Sequence, residues 1–576
     1  MNIVNPCSLF CLQQTSSTGL ETAKETINGS ATGDFEGRSL VRTHCCGRTF
    51  HLGCITAILD LQLGIDLALR SCIECPHLTA LPLVRVDGAR PVEPSPYCEP
   101  LALHACRQAC RGDMDTFQTL LAQDPGIARQ DFRNALTGMG VRLLHIAAQE
   151  GQAELTQLLL SHSADINAAD HLGKTALHLA TAGGYIQCLR VLLKHGANPA
   201  RTDNTGSTPI HLASARDNSR CLQRLLTDPR VDINVADNEG RTALHMAAKG
   251  NHIDNLRLLL RDNRAEFNST DKYHRTPLHH TALKGSRDCL QLLLIYQAKV
   301  NIVDELLGTP LHYAVVYGAE TGDIENIRCL IEHGANLHSR NACGQTPLHT
   351  AAEQRRSNSV MQLLIDNRAD IHSTDEKNRT PLHLAVISGL IDNVKLLIDC
   401  EAELHAIDKY GMTPLHLASN FGHVRVLELL MSKGMNLHET DKSGKTLVHL
   451  AARNGHTRIL QLLIDQGMNL KTTDNTGRSP LHLAAQYGHT QALQLLMDQE
   501  GVDLNVTDIL GSTPLHLAAQ NGHSEVLQQL IDRGVVPTTA DNYGNTPLKE
   551  ALKGGHPRCQ QLLADATPQG WGCLVQ

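Results

Sequence analysis

One short phrase recurs along most of the chain and constrains its fold more than any other feature. Consecutive copies are 33 or 34 residues apart, except for one step of 37 residues. A fixed period of this length is the signature of a repeat architecture in which each unit is one supersecondary element. The phrase is Thr-Pro-Leu-His or a variant of it, and its copies end at His145, His178, His211, His245, His279, His312, His349, His383, His416, His449, His482, His516 and Lys549.

The residues of one unit predict two short helices and a turn. Thr can cap a helix, and Pro at the first helical position loses no needed donor. Leu481 to Ala485 then predicts a helix with a small-residue face, and a Leu pair marks a second helix. An extended Asp-Leu-Asn element and an Asp-x-x-Gly turn, such as Asp474 to Gly477, lead to the next unit. We expect the extra residues of the 37-residue step, Ala319 to Gly322, to lie in a loop between helices.

These units resemble ankyrin repeats, and the resemblance covers most of the chain. It implies an all-α solenoid over residues 101–564, with about 13 to 14 repeats and no enzyme chemistry of its own. Residues 101–130 resemble a degenerate first unit. Lys549 replaces the phrase histidine in the last unit, which fits a solvated cap. One unit cannot bury its leucines alone, so neighbouring units must stack.

The twelve phrase histidines are spaced along the array, so they lack the convergent partners that a metal or catalytic site needs. We predict a structural hydrogen-bonding role for them. The family resemblance instead implies that a target protein contacts the turn tips and the first helices. Packing against neighbouring units remains the alternative for each candidate contact residue. The candidates are Tyr273, Tyr410 and Tyr543 at tips, and Tyr317, Phe421, Arg453 and Tyr487 on helix faces.

The composition and charge of the chain argue against several classes of protein. The net charge of −8 does not favour non-specific nucleic-acid binding. No apolar run reaches the length of about 20 residues that spans a bilayer, and residues 1–17 predict no secretory signal peptide. Ten of the 18 cysteines precede residue 111, and the others are scattered singly. This scatter indicates a reducing, cytoplasmic compartment rather than a disulfide framework.

The first 86 residues carry closely spaced cysteine and histidine pairs. Thiolates and imidazoles in such pairs, separated by loops, are typical of a structural zinc site. Metal would stabilise a segment that is too small and too loop-rich for a strong core. The predicted ligands are Cys7, Cys11, His44, Cys46, His51, Cys54, Cys72 and Cys75.

The order of these pairs resembles a RING-type zinc finger, most specifically in the run Cys46-Gly-x-x-Phe-His-x-x-Cys54. The resemblance implies two zinc ions and recruitment of a ubiquitin-conjugating enzyme, as in an E3 ubiquitin ligase. One zinc would be bound by Cys7, Cys11, His51 and Cys54, and the other by Cys46, Cys72, Cys75 and either His44 or Cys45.

Two functions stay open for this finger. It is either a ubiquitin-ligase module or a non-enzymatic docking module on an ankyrin adaptor. The helix predicted after Cys54 lacks the tryptophan usual in the family, and no arginine follows Cys75 directly, which favours the adaptor. A membrane-linked scaffold with a decayed finger is the third alternative.

The end of the chain, Cys573-Leu-Val-Gln576, matches a C-a-a-X prenylation box. Residues 565–576 are therefore predicted to be a lipidated tail, and residues 87–100, with four prolines, a linker between finger and array. The combination resembles bacterial ankyrin effectors, which act inside eukaryotic cells with a ubiquitin-system module and a host-prenylated tail. That resemblance implies secretion into a host cell and association with a membrane there.

Overall fold

The computed structural model describes residues 40–42, 49–51, 84–85, 109–111, 114–129, 132–133 and 140–567. The chain divides into two units, the first ending at Asn204 and the second beginning at Thr205. Between residues 143 and 567 the structure consists of α-helices, turns and bends, without a strand. The predicted all-helical repeat fold is thereby confirmed for this part of the chain.

The described residues before Leu143 include five short strands. β1 (Leu40–Arg42) pairs antiparallel with β2 (Thr49–His51) and with β3 (Val84–Arg85), so the sheet order is β2-β1-β3. β4 (Phe132–Arg133) and β5 (Gly140–Val141) form a separate antiparallel pair. β1 to β3 lie within the predicted zinc-finger segment, most of which is outside the described residues.

The described residues of the first unit contain five complete α-helices, and the last four of them form two helix pairs. A short 3-10 helix, Pro125–Arg129, follows the first of the five. The α-helices are α1 (Met114–Gln123), α2 (Leu143–Gln149), α3 (Ala153–Ser161), α4 (Ala176–Ala182) and α5 (Ile186–Lys194).

In the second unit, residues 205–567 contain eleven helix pairs. Each even-numbered helix begins at the phrase and each odd-numbered helix follows it. The helices are α6 (Pro209–Ser214), α7 (Ser219–Leu226), α8 (Ala243–Gly250), α9 (Ile253–Leu260), α10 (Pro277–Lys284), α11 (Arg287–Ile295), α12 (Pro310–Thr321), α13 (Glu325–Glu332), α14 (Pro347–Ala352), α15 (Asn358–Asp366), α16 (Pro381–Ile387), α17 (Ile391–Asp399), α18 (Pro414–Phe421), α19 (Val424–Ser432), α20 (Leu447–Arg453), α21 (Thr457–Asp465), α22 (Pro480–Gln486), α23 (Thr490–Met497), α24 (Pro514–Asn521), α25 (Ser524–Asp532), α26 (Pro547–Gly554) and α27 (Pro557–Ala566).

The phrase histidine fixes the start of each first helix. In all twelve histidine-containing copies, the backbone N–H of the residue before the helix donates to Nδ1 of the histidine three residues on, at 3.0–3.3 Å. At His383 that donor is Thr380, and the Nε2–H of the ring donates to the Met412 carbonyl at 3.3 Å. The same ring therefore caps its own helix and binds the chain about one repeat further on. The twelve histidines have the structural role predicted from their spacing.

The core lies between the two helix layers. In the repeat that begins at Ser479, Leu481 and Ala484 of the first helix and Leu493 and Leu496 of the second are buried. Alanine at the small positions lets neighbouring first helices approach closely, because the distance between helix axes depends on the side chains at the contact. Because each pair buries its leucines against the next pair, the repeats stabilise one another.

Two local predictions are wrong. Residues 319–321 were expected in a loop but extend α12, because Ala319 is buried and Gly322, at a φ of 82°, ends the helix only after them. The Asp-Leu-Asn segment was expected to be extended. At Asp503 to Asn505 it forms a turn, because the Asn505 N–H donates to the Asp503 carboxylate at 2.9 Å.

Candidate protein-binding surface

A buried aspartate builds the turn between consecutive repeats. At Asp508 one carboxylate oxygen accepts the N–H groups of Leu510 and Ser512, both at 2.9 Å. Gly511, at a φ of 75°, allows the backbone to reverse. Since the aspartate satisfies the backbone donors from inside, the side chains between it and the glycine point into solvent.

Backbone hydrogen bonds connect each tip of the second unit to the next. The bonds are 2.7–3.2 Å long, and each joins an N–H of one turn to a carbonyl of the preceding turn. Their donors are Asn238, Lys272, Glu305, Ala342, Glu376, Lys409, Lys442, Asn475, Ile509 and Asn542. The tips of this unit therefore form an ordered row before any partner arrives, which lowers the entropic cost of binding.

Apolar side chains interrupt this row at two places. The 509 cluster consists of Ile509, Leu510 and Tyr543, which are exposed by 63%, 41% and 71% on adjacent turns. The 273 cluster consists of Tyr273, Leu306 and Leu307, also on adjacent turns, with Leu306 exposed by 65%. Among the other tips of this unit, one carries Tyr410 and one carries Ala342 and Cys343 at the equivalent places, and the rest carry polar residues. Contiguous exposed apolar side chains with an aromatic residue are typical of protein-binding sites.

The three tyrosines predicted at tips are all exposed. Tyr543 belongs to the 509 cluster and Tyr273 to the 273 cluster, while Tyr410 is 56% exposed on a turn between them in sequence. The Lys272 Nζ lies 5.0 Å from the centre of the Tyr273 ring, and the Arg275 guanidinium carbon lies 4.7 Å from it. These cations hold the Tyr273 ring in place.

The residues predicted on helix faces have different environments. Phe421 is exposed and its ring is stacked on His423 at 6.4 Å between ring centres. Tyr487 is also exposed, and the half-buried Arg453 holds its guanidinium carbon 5.3 Å from the Tyr487 ring centre. Tyr317 is half-buried and its ring lies against Gly285, where a Cβ would clash with it.

Sequence reasoning missed four of the six residues in the two clusters: Leu306, Leu307, Ile509 and Leu510. The signal was present, since Leu306, Ile509 and Leu510 directly precede the last position of the turn or lie one residue before it. Leu307 occupies that last position itself, at a φ of 57°, where other turns have glycine. Apolar residues at positions where the turn forces exposure indicate a surface that serves binding rather than folding.

Buried titratable groups beneath the 273 cluster are paired with one another. The His280 imidazole lies 3.0 Å from the Asp271 carboxylate, and Tyr313 donates its hydroxyl to Asp304. Burial lowers the pKa of His280 to about 4. Burial alone would raise the pKa of Asp271, but hydrogen bonds from Arg275 and His280 bring that pKa below its usual value. The hydrogen bonds of these groups are therefore satisfied within the protein, beneath the turn.

The predicted zinc ligands cannot be placed as a group. His51 ends β2, and Cys7, Cys11, His44, Cys46, Cys54, Cys72 and Cys75 lie outside the described residues, as does the predicted lipidation site Cys573. Within the described ranges no three His, Cys, Asp or Glu side chains are grouped to hold a metal ion. None of the described helices is long and apolar enough to cross a membrane.

Comparison with known proteins identifies the repeat. The family model described as ankyrin repeats (3 copies) matches residues 103–203, 198–271, 278–375, 317–408, 354–441, 434–508 and 491–570. A 56-residue stretch is 43% identical to Rabankyrin-5 of Mus musculus. That stretch is 10% of this chain and 4% of the length of Rabankyrin-5, so the likeness covers a small part of either protein.

Proposed function

Because the chain belongs to the ankyrin-repeat family, whose repeats form protein–protein interaction scaffolds, we propose that it binds a target protein through the tips of its turns. The 509 cluster carries this proposal. Its three side chains expose apolar surface on a backbone that is already ordered, and the Asn542 N–H donates to the Leu510 carbonyl at 2.9 Å across the two turns. The 273 cluster offers a second contact of the same chemistry.

The neighbouring helix faces extend the proposed contact. Tyr487 and Phe421 are exposed aromatic residues, and aromatic and arginine residues dominate the binding energy of protein interfaces. We assign to Tyr487, with Arg453 above its ring, the role of a supporting contact at the C-terminal end of α22.

A capture experiment tests this proposal. Full-length protein and a variant with Ile509→Ser, Leu510→Ser and Tyr543→Ala are used to capture proteins that are identified by quantitative mass spectrometry. We expect a defined set of proteins to be lost from the variant. Ile295→Ser is the matched control, because Ile295 is 70% exposed at the end of α11 and belongs to neither cluster. Equal capture by the cluster variant and wild type would contradict the proposal.

A second function is supported by the run from Cys46 to Cys54. We infer that residues 1–86 bind two zinc ions and recruit a ubiquitin-conjugating enzyme to the target held by the repeats. A RING-type finger needs no nucleophile, since it positions a thioester for attack by a substrate lysine. The alternative is a docking module without ligase activity.

Autoubiquitination and metal content distinguish these two functions. The full chain is incubated with ubiquitin, activating enzyme and a panel of conjugating enzymes, with Cys54→Ser as control, and zinc is measured on both proteins. Ubiquitin ladders that require Cys54, with about two zinc ions per chain, support the ligase. Zinc without ladders supports the docking module, and a zinc-free protein would overturn both.

The tail is proposed to anchor the scaffold. Prenylation of Cys573 would give reversible membrane association, because one lipid chain binds membranes only marginally. Mass spectrometry of the protein recovered from eukaryotic cells should show one prenyl group on the wild type and none on Cys573→Ser. An unmodified wild-type tail would contradict this proposal.

A further inference from the structure

One position of the turn has the same geometry in nine consecutive tips. It directly precedes the last position of the turn, and its backbone N–H donates to the side chain of the aspartate, or of Asn341, two residues earlier at 2.8–3.0 Å. Its carbonyl accepts an N–H of the next turn, so the nine turns are joined in the same way throughout. The tip row consists of the nine residues at this position: Tyr273, Leu306, Cys343, Lys377, Tyr410, Ser443, Thr476, Leu510 and Tyr543.

The apolar residues of the tip row stand in the same order from either end. The first and ninth residues are the tyrosines Tyr273 and Tyr543, and the second and eighth are the leucines Leu306 and Leu510. The fifth residue, in the centre, is Tyr410. All five are exposed, by 41–71%. The other four positions carry neither tyrosine nor leucine, so the pattern is symmetric about Tyr410.

This symmetry is what a two-fold interface requires. In such an interface the same surface of two copies meets, so that each residue contacts a residue whose own copy contacts it in return. When two tip rows lie antiparallel, the first position of one row faces the ninth of the other. Tyr273 then faces Tyr543, and Leu306 faces Leu510. Tyr410 faces Tyr410 of the second copy. Apolar side chains therefore meet apolar side chains at all five places.

Charged residues beside the row are also complementary in this register. Glu376 and Lys442 directly precede the fourth and sixth residues of the row, so each faces the other in the second copy. Both side chains are exposed, and within the described part of the chain neither forms an ion pair. Lys377 faces Ser443 and meets no like charge. Lys409, beside the centre, faces its own copy, where its flexible side chain keeps the ammonium group hydrated.

We propose that two copies of the chain associate antiparallel along the tip row and form a homodimer. This inference rests on the function proposed above, that the tips bind protein, and it names a second copy of the chain as a partner of the same surface. The five apolar positions supply the contact, and the Glu376–Lys442 pairs set the register. Because the dimer covers the 509 cluster, a target protein and the second copy compete for that cluster.

A cysteine introduced into the tip row tests the register. Cys343 is an exposed free cysteine, and the antiparallel register places it opposite Thr476 of the second copy. The full-length Thr476→Cys variant is treated with a short bismaleimide, and linked peptides are identified by mass spectrometry. We expect a link between positions 343 and 476. The link must join two copies, because four turns separate these positions within one chain.

Ser443→Cys is the matched control for the cross-link. Ser443 is equally exposed at the same position of its turn, but it lies one repeat, about 8–10 Å, away from the place opposite Cys343. Its yield of links to Cys343 should be several-fold lower. Thr476→Cys combined with Cys343→Ser should give no such link. Equal yields from the two cysteine variants, or no link between positions 343 and 476, would overturn the register.

Reversal of one charge tests the same register without a reagent. Glu376→Lys places two lysines opposite each other at two sites, so the dissociation constant of the dimer should rise at least about threefold. Glu376→Lys combined with Lys442→Glu should restore the wild-type value, because opposite charges face each other again. A parallel pairing puts Glu376 against its own copy, so Glu376→Lys would not weaken it. That result, or no recovery in the double variant, would contradict the antiparallel dimer.

Sedimentation equilibrium of the full-length protein tests the apolar contact and separates it from target binding. Leu510→Arg should raise the dissociation constant of the dimer at least about tenfold, because a two-fold interface contains each residue twice. Ile295→Arg, at an exposed position in neither cluster, should leave it unchanged. A monomeric wild type, or equal dimerisation of wild type and Leu510→Arg, would overturn the dimer. Capture of other proteins through the 509 cluster would still support the proposed function in that case.

Discussion

The buried starts of the first helices and the exposed tips of the turns lie a few residues apart in each repeat, yet they vary in opposite ways. The helix starts repeat one arrangement twelve times, with a histidine that bonds to the backbone on both sides. The tips share only their aspartate and their backbone bonds, while the side chains between range from lysine to isoleucine. The comparison shows that folding constrains the residues at the helix starts, and that the residues at the tips are free to vary for binding.

A fall in pH should distinguish the buried helix starts from the exposed tips more strongly than any other change, through its effect on the free energy of unfolding. Burial lowers the pKa of phrase histidines such as His383, and it lowers that of His279 to about 4. A base whose pKa is lower in the folded state than in the unfolded state takes up protons on unfolding. The free energy of unfolding is therefore highest above about pH 6.5 and falls as the pH drops towards about 4. Urea unfolding as a function of pH should show this loss across that window.

A second pH range tests whether the histidines cause this loss of stability. The turn carboxylates Asp375 and Asp474 have pKa values below their usual range, because hydrogen bonds from their own turns outweigh burial. Their contribution is present above about pH 3.8 and is lost below it. If stability were constant from pH 6.5 to 4.5 and fell only below 4, the buried histidines would not be neutral.

Removal of one buried histidine should be the largest single-site effect. His383→Ala leaves the Thr380 N–H and the Met412 carbonyl without their partner in the core. We expect a loss of about 2–4 kcal/mol in the free energy of unfolding. Urea denaturation with hydrogen exchange should place the loss in the repeats on either side. The exposed His372→Ala is the control, with a change below about 0.5 kcal/mol.

Two buried asparagines of the second helices should differ from each other. Asn393 donates to the Ala352 and Gln354 carbonyls at 3.0 and 2.8 Å, so Asn393→Ala should cost about 1–3 kcal/mol. Asn326 is equally buried, but its side chain has no hydrogen-bond partner among the described residues. Asn326→Ala should change the free energy of unfolding by less than about 1 kcal/mol. Equal losses in thermal or urea unfolding would show that packing, not hydrogen bonding, governs both positions.

The tips should show the smallest effect on stability. Tyr543→Ala removes a side chain that is 71% exposed, so the midpoint of urea unfolding should move by less than the equivalent of about 0.5 kcal/mol. Affinity for a captured partner should nevertheless fall about tenfold or more, measured by biolayer interferometry. A large stability change would place Tyr543 in the fold rather than in the binding surface.

The sequence predicted the repeat, its two helices and its aspartate turn, because these depend on local capping and on a strict period. It failed at residues 319–321, where burial of Ala319 extends α12 beyond the family pattern. It also failed at Asp503, whose side chain folds back on its own backbone. At both places the backbone conformation depends on whether local hydrogen bonds or packing against neighbouring residues has the larger effect.

The candidate surface could be predicted only in part. Aromatic residues at turns drew attention to Tyr543, but Ile509 and Leu510 were passed over because single aliphatic residues resemble core. Their exposure follows from the aspartate that bonds the turn from inside, which becomes clear only when the hydrogen bonds are known. Tyr317 illustrates the converse, since its contact with Gly285 comes from the preceding repeat.

One measurement tests most directly whether folding and binding occupy separate residues. The variant with Ile509→Ser, Leu510→Ser and Tyr543→Ala is compared with wild type for its urea midpoint and for its affinity towards the strongest captured partner. Separate regions predict an unchanged midpoint and an affinity at least about tenfold lower. An unchanged affinity, or an affinity lost together with stability, would contradict the account.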